Sequence, residues 1–310
     1  MFIPTKRHLP TLLRRLASIL TLLSLLVVGA WLYSVRHDLA TIQWRTLWPV
    51  FVLLIGMYGL SFLLSFAVWH SYIRSTTAIP WLRDLQLYAY SNISRRLPSG
   101  LGYLVARSAQ YSAEGSDVRV VLYFSAQELL LQISSGLAIA LAAAILSGTV
   151  VQGFYIAILI LSVSIALFAR SPVMMRLLQN NSGNRAVAAK TTVSRADLWR
   201  LIAYGSAWLN GGVMLFILLL GLDEAGPIGI WQAIGLWALS GTVGLIAGVV
   251  PMGQFARDAA LSILLGQYVA LPTAILVALA FRLVLTVGDL GWSLVLTGIA
   301  YLTQKKYCRL

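Results

Sequence analysis

The chain has 310 residues, of which 59% are hydrophobic and only 11% are charged. A soluble domain could not bury that much apolar surface, so the composition predicts an all-α, polytopic membrane protein. The formal net charge of +13 arises mainly in short segments between apolar runs, as the positive-inside rule requires, and this distribution argues against nucleic-acid binding.

Six apolar runs are predicted to cross the bilayer completely. They cover residues 16–35, 47–72, 120–146, 154–168, 201–220 and 272–302. Lys6 and Arg7 precede the first run, which is longer than a signal-peptide core, so we expect a retained anchor and a cytoplasmic N-terminus. Lys305 and Lys306 predict a cytoplasmic C-terminus, which agrees with six crossings.

The stretch from Asn92 to Arg107 breaks the apolar pattern. Its candidate turn residues are Pro98, Gly100 and Gly102, and its cations are Arg95, Arg96 and Arg107. Proline removes a backbone donor and glycine loosens the chain, so we expect a helix to end near Pro98. Irregular backbone at membrane depth is tolerated where it lines a cavity. We therefore predict re-entrant half-helices over residues 80–113, with the three arginines as ligands of an anionic head group.

A second segment, residues 231–271, has the same organisation. It contains a Pro-x-Gly turn at Pro251 and Gly253, followed by Arg257, which is also a candidate binding residue. If this segment is re-entrant from the outside, six helices cross; if both broken segments cross, eight do. With either count the second half runs opposite to the first, which predicts an inverted repeat.

A long helix with a polar stripe is predicted after each broken segment. Ser125, Glu128 and Gln132 share one face of the first, and Arg282 and Asp289 share one face of the second. A lone arginine costs at least about 2.5 kcal/mol at the bilayer centre, so Arg282 needs a partner. We predict that Arg282 pairs with Glu128 across a shared cavity, with Asp289 as the alternative, and that Glu128 and Arg282 contribute to substrate binding.

The whole chain, residues 1–310, is predicted to form one membrane domain. Its first half is 16–169 and its second half is 201–310, and each contains one broken segment. The linker between them, 170–200, carries six basic residues, so we expect it in the cytoplasm. Near its end, Ser194 has capping-box spacing to an aspartate three residues later, which indicates a helix start.

Two blocks of the sequence resemble a known family. The first is LPSGLGYLVARSAQ followed by QELLLQISSG, and the second is VVPMGQFARDAALSILLGQ followed by AFRLVLTVGDLGW. They are similar to the two conserved regions of the lysylphosphatidylglycerol synthase transmembrane (flippase-like) domain family, with Tyr103 and Leu129 where that pattern has an acid and an arginine. The resemblance implies transfer of a lipid or a lipid-linked head group between leaflets of the bacterial cytoplasmic (inner) membrane.

We therefore expect a transporter for an anionic lipid or head group, such as a phosphatidylglycerol derivative or a polyprenyl-phosphate-linked glycan. The sequence has no P-loop and no convincing nucleophile–base arrangement, so we predict neither an enzyme nor a cofactor. Cys308 is the only cysteine and the three histidines are scattered, so no metal site is expected. The alternatives are a membrane enzyme or an accessory subunit of a lipid or glycan pathway, whose enzymes would then be partners besides membrane lipids.

Overall fold

The computed structural model describes residues 33, 44–74, 76–94, 102–148, 195–223, 226, 228–248 and 253–307. Regular secondary structure in these ranges is helical throughout, which confirms the all-α class for them. The helices are α1 (Trp44–Ile73), α2 (Trp81–Ser94), α3 (Gly102–Ala113), α4 (Val118–Leu146), α5 (Arg195–Gly221), α6 (Ile230–Ala247), α7 (Gly253–Leu265) and α8 (Leu271–Tyr307).

Five of the described helices are long and apolar enough to cross a membrane: α1, α4, α5, α6 and α8. This finding supports the predicted multi-pass membrane protein. Helices α3 and α7 have 12 and 13 residues, and at 1.5 Å per residue they reach only about 20 Å, less than the hydrocarbon core. Helix α6 lies in the predicted re-entrant segment 231–271 and is itself long enough to cross.

Described helices flank both of the predicted breaks, whose prolines, Pro98 and Pro251, lie outside the described residues. Helix α2 ends at Ser94 and α3 begins at Gly102, while α7 begins at Gly253 after the end of α6. Short helices therefore flank the first predicted break, whereas the helix before the second, α6, is long enough to cross by itself. That either segment is re-entrant stays a prediction. Gly102 and Gly253 are the first residues of the short helices that follow.

Several predicted features lie outside the described residues. They are the span at 154–168, the span at 16–35 apart from Tyr33, most of the linker 170–200, and Arg95, Arg96, Pro98, Gly100, Pro251 and Cys308.

Helix α5 begins earlier than its apolar run. The run predicts a span from Leu201, but the helix starts at Arg195, next to the predicted capping position. Arg200 is accommodated inside the helix because its guanidinium carbon lies 3.8 Å from the centre of the Tyr72 ring. Its Nε also donates to Ser71 Oγ at 2.9 Å. The end of α1 thus provides a polar and aromatic contact for this charge.

The helices form two sets of four, α1–α4 and α5–α8, with the same order of lengths: a long helix, two shorter ones and a long one. Helix α1 packs on α5, α4 packs on α6, and α2 packs on α8. Within the sets, α2 contacts α3 as α6 contacts α7, and α3 contacts α4 as α7 contacts α8. The contacts made by one set therefore have counterparts in the other.

Buried apolar side chains form two main clusters. One is centred on α5, α6 and α8 and includes Met214, Trp237 and Phe281. The other is centred on α1, α2 and α4 and includes Trp69 and Tyr88. Between these clusters the two sets leave a space.

Candidate functional site

A cavity of about 200 Å³, here called the central cavity, lies where the two sets of helices meet. Residues of every described helix except α3 line it. Its aromatic wall includes Tyr88, Trp208 and Trp237, and its charged residues are Arg257 and Asp289. Cavities that combine apolar walls with a few polar groups are the usual binding sites for small ligands. The central cavity is therefore the candidate functional site.

The two tryptophans of the aromatic wall each pack against a glycine of the neighbouring helix. A methyl group at Gly241 of α6 would overlap the ring of Trp208 of α5. In the same way, a methyl group at Gly211 of α5 would overlap the indole of Trp237 of α6. The two ring centres lie 6.1 Å apart, and Trp208 Nε1 donates to the backbone oxygen of Gln132 at 3.0 Å. Small residues let these helices approach closely while leaving room for the rings.

An ion pair lies behind the wall formed by α2 and α4. The side chains of Arg107 and Glu128 are 0% and 1% exposed, and Arg107 Nη1 donates to Glu128 Oε2. The guanidinium carbon lies 4.2 Å from the centre of the Trp69 ring and 4.9 Å from that of Tyr88. Its Nε donates to Ser91 Oγ at 3.1 Å. These contacts replace part of the hydration that a buried guanidinium loses.

Polar side chains connect this ion pair to the central cavity. Tyr88 OH and Gln132 Nε2 each donate to Glu128 Oε1 at 3.3 Å, and both residues line the cavity. Asn92, one turn after Tyr88 on α2, lines it as well and is only 6% exposed. No described residue hydrogen bonds to Asn92 Oδ1. This amide oxygen is therefore a buried acceptor without a partner among the described residues.

A second charged cluster, here called the arginine cluster, lies where α7 meets α8. Asp258 Oδ1 accepts from Arg257 Nε and Nη2 at 2.9 and 2.6 Å, and Asp258 Oδ2 accepts from Arg282 Nη1 at 2.8 Å. Arg282 also lies over the Phe255 ring, with its guanidinium carbon 4.3 Å from the ring centre. Of the three charged residues of the cluster, Arg257 lines the cavity, where Asp289 also lies.

The predicted pairing of Arg282 with Glu128 is wrong. Glu128 pairs with Arg107 inside the first set, and Arg282 pairs with Asp258 inside the second. Asp289, the alternative partner, lines the cavity and accepts a hydrogen bond from a tyrosine of α1. The sequence spacing placed Glu128 and Arg282 at matching positions, but each pairs with a residue of the short helix that precedes its own helix.

Four of the six predicted binding residues lie at or near the cavity. One of them, Arg257, lines the cavity. The other three do not line it but lie behind its surface, where they form hydrogen bonds: Arg107, Glu128 and Arg282. The other two, both arginines, lie outside the described residues. The sequence analysis missed Asp258, although an Arg-Asp pair beside apolar sequence signals a buried salt bridge. Nothing in the sequence distinguished the cavity position of Asn92 from that of its neighbours.

A further buried polar group lies beside the first ion pair. Asp84 is fully buried; its Oδ2 lies 2.6 Å from His70 Nδ1 and its Oδ1 accepts from Tyr111 OH. Trp69, which lies under Arg107, donates to Tyr111 OH at 2.6 Å. In the part of the chain that the structure describes, no three His, Cys, Asp or Glu side chains are grouped so that they could hold a metal ion.

Neither a family model, nor a curated protein, nor a solved structure matches this chain. The resemblance to the lysylphosphatidylglycerol synthase transmembrane domain family therefore stays a prediction.

Proposed function

We propose that this protein is a membrane transporter that moves a lipid, or a lipid-linked group, with an anionic head group between the two leaflets. The observation that carries the proposal is the central cavity, which the guanidinium-bearing Arg257 lines inside an apolar helical body. A guanidinium in such surroundings binds phosphate with strong hydrogen bonds in a fixed geometry. Helices long enough to cross a membrane surround this site.

The size of the cavity suits a head group rather than a whole lipid. Its volume of about 200 Å³ is below the roughly 300–1,000 Å³ of pockets that enclose drug-sized ligands. The acyl chains would stay outside, against apolar side chains that the helices expose, such as Leu60 and Val243. A transporter of this kind would shield only the polar part of the lipid as it crosses the apolar core.

The packing supports an inverted repeat as the scaffold for this transport. Corresponding helices of the two sets make corresponding contacts. Arg107 is the sixth residue of α3 and Asp258 the sixth of α7, and each pairs with the long helix that follows. The signs are reversed, since the short helix carries the cation in the first set and the anion in the second. We propose that an axis in the membrane plane relates the sets, as in many transporters with a midplane site.

The sequence resemblance and the charge distribution support a bacterial cytoplasmic membrane as the location. The basic residues near both ends of the chain favour cytoplasmic termini.

Transport can be measured with purified protein in vesicles that contain lipid labelled on an acyl chain with a dithionite-sensitive fluorophore. Dithionite bleaches the outer leaflet only, so transport appears as bleaching beyond that fraction. We expect labelled phosphatidylglycerol to move faster than labelled phosphatidylcholine, because only the first carries a net negative charge. Equal rates for the two lipids, or no transport by folded protein, would contradict the proposal.

Arg257→Gln tests the role of the cluster. We expect it to slow phosphatidylglycerol transport by about tenfold or more, the equivalent of one charge-assisted hydrogen bond. Arg74→Gln is the matched control, because it removes the same charge at an exposed position away from the cavity. A similar loss in both variants would mean that overall charge, and not the cavity, controls transport.

A further inference from the structure

We infer that the contact between α2 and α8, here called the α2–α8 seam, is the portal through which a lipid head group passes between the bilayer and the central cavity. The inference rests on the proposed function and adds the route to it. Because the acyl chains would stay outside, two helices beside the cavity have to part when the head group enters. The route does not depend on the charge of the head group, since Arg257 and Asp289 both line the cavity.

One layer of helices separates the cavity from the outside at this seam. Asn92 of α2 and Asp289 of α8 line the cavity. Tyr90, on the same turn of α2 as Asn92, is 41% exposed, and on α8 Leu290 and Leu294 are 46% and 72% exposed. Each helix therefore passes from the cavity wall to the outer surface within about one turn.

Two neutral hydrogen bonds bridge the seam. Ser293 Oγ donates to the Ala89 backbone oxygen at 3.3 Å, and Tyr90 OH lies 2.8 Å from Thr297 Oγ1. Each such bond contributes only modestly to stability, and a polar head group can replace it during passage. Asp289, Ser293 and Thr297 follow one another at steps of four, so a polar stripe on α8 leads from the cavity along the seam.

Helix α2 makes its charged contacts within its own set. Asp84 Oδ2 lies 2.6 Å from His70 Nδ1 of α1, and Arg83 pairs with Glu114, the residue after α3, at 2.6 Å. Hydrogen bonds to ionised groups are about twice as strong as neutral ones. When the seam opens, α2 should therefore stay with the first set, and the two neutral bonds to α8 should break.

The corresponding contact between α4 and α6 is packed more closely. A methyl group at Gly136 of α4 would overlap Thr242 Oγ1 of α6, and one at Gly235 of α6 would lie 3.4 Å from Ala143 Cβ of α4. Small residues here bring the two helices close together. Helix α2 contains no glycine, and its described polar contacts with α8 include side chains that can rotate away. This difference favours the α2–α8 seam as the portal.

The test closes the seam with a bismaleimide, whose thioether bonds dithionite does not cleave. In a Cys308→Ser background, Tyr90→Cys and Thr297→Cys place one thiol on each side of the seam, at exposed and half-buried positions. The protein is cross-linked in detergent and then placed in vesicles with acyl-labelled phosphatidylglycerol. We expect cross-linking to slow transport by about tenfold or more, because the opening step is blocked. The same variant treated with N-ethylmaleimide, which cannot join the helices, should keep its transport.

The matched control joins α1 to α5, which also belong to different sets. Val50→Cys and Gly221→Cys are suitable, because a methyl group at Gly221 would lie 3.2 Å from a side-chain carbon of Val50. Neither residue lines the cavity. Cross-linking this pair should leave transport unchanged.

Tyr90→Phe tests the seam without a reagent. It removes the hydroxyl that bonds to Thr297 and should speed transport by about twofold to tenfold, since the closed seam loses one neutral hydrogen bond. Tyr123→Phe is the control, because its hydroxyl accepts from Gln127 of the same helix and lies away from the cavity lining. It should leave the rate unchanged.

Full transport by the cross-linked seam variant, or an equal loss in the α1–α5 control, would overturn the portal inference and leave the transporter proposal standing. A Tyr90→Phe protein that transports no faster than Tyr123→Phe would overturn the role of the hydroxyl bond in closing the seam. Absence of transport by folded wild-type protein would overturn the proposed function itself.

Discussion

At the scale of single residues, Arg107 shows how the protein keeps a full charge in its interior. Its side chain is 0% exposed and lies between the Trp69 and Tyr88 rings, with Glu128 as counter-ion. Taking both charges out of water is costly, and their attraction offsets this cost only with good geometry. The pair therefore fixes α3 against α4 more than it adds to the free energy of unfolding.

Breaking this pair from one side should be severe. We expect Glu128→Gln to lower the free energy of unfolding by about 3–5 kcal/mol, because Arg107 keeps its charge without a counter-ion. Replacing both residues by apolar ones, Arg107→Met with Glu128→Leu, should restore most of the loss. Unfolding by SDS in mixed micelles measures both values.

The exposed pair Arg83–Glu114 is the control for this experiment. Its side chains are 44% and 29% exposed, so Glu114→Gln should change the free energy of unfolding by less than about 1 kcal/mol. A loss as small as this in Glu128→Gln would show that the buried pair is not charged.

A double-mutant cycle tests the second pairing. Asp258→Asn and Arg282→Gln should show a coupling energy of about 1–3 kcal/mol, because their side chains hydrogen bond. Glu128→Gln and Arg282→Gln should be additive within about 0.5 kcal/mol, because each residue has another partner. Coupling in the second cycle would favour the cross-cavity pair that the sequence predicted. SDS unfolding gives both energies.

At the scale of helices, α5 and α6 pack closely because small residues of each helix face large residues of the other. Each helix offers a glycine to a tryptophan of the other: Gly211 to Trp237, and Gly241 to Trp208. Since both rings line the central cavity, the helix contact also sets the shape of the candidate site. A substitution in the contact should therefore affect stability and transport together.

Gly241→Ala should displace the Trp208 ring. We expect a loss of about 1–3 kcal/mol in the free energy of unfolding, as for other overpacked sites, and slower lipid transport. Gly56→Ala is the control, because nothing lies near a methyl group at that helical position; there the change should stay below about 1 kcal/mol. Unfolding in SDS and the vesicle assay test the two effects, and a normal Gly241→Ala protein would show that the ring can move freely.

The sequence predicts where the helices lie along the chain better than it predicts which helices pack against each other. The Pro-Gly breaks predicted interruptions near Pro98 and Pro251, and the described helices that follow these positions begin at Gly102 and Gly253. Helical period put Ser125, Glu128 and Gln132 on one face, and all three are buried. The helical period does not show which helix packs against that face, so the sequence did not identify Arg107 as the partner of Glu128. The cavity position of Asn92 depends on packing between distant segments and left no local signal.

At the scale of the whole molecule, the two sets of helices make reciprocal contacts, in which the last helix of each set packs on the second helix of the other. Helix α4 of the first set packs on α6 of the second, and α8 of the second packs on α2 of the first. This arrangement places residues of both sets around one cavity. Movement of one set against the other would therefore change access to the cavity without unfolding either.

Labelling with impermeant thiol reagents tests the orientation of this arrangement. In a Cys308→Ser background, a cysteine at Asp223 should react from outside the cell and one at Glu114 only from the cytoplasm. Both positions are exposed turns, so reactivity reports sidedness rather than burial. Reaction of both cysteines from the same side of intact cells would contradict the inverted repeat.

The ion pair between α3 and α4 has a consequence for how the chain enters the membrane. Arg107 and Glu128 are 21 residues apart, and a ribosome adds about 5–20 residues per second, so the arginine is made about one to four seconds before its counter-ion. During that time a lone arginine at the bilayer centre would cost about 2.5–3.5 kcal/mol on insertion scales. Helix α3 should therefore stay beside the translocon until α4 emerges, and the two should partition into lipid as one hairpin.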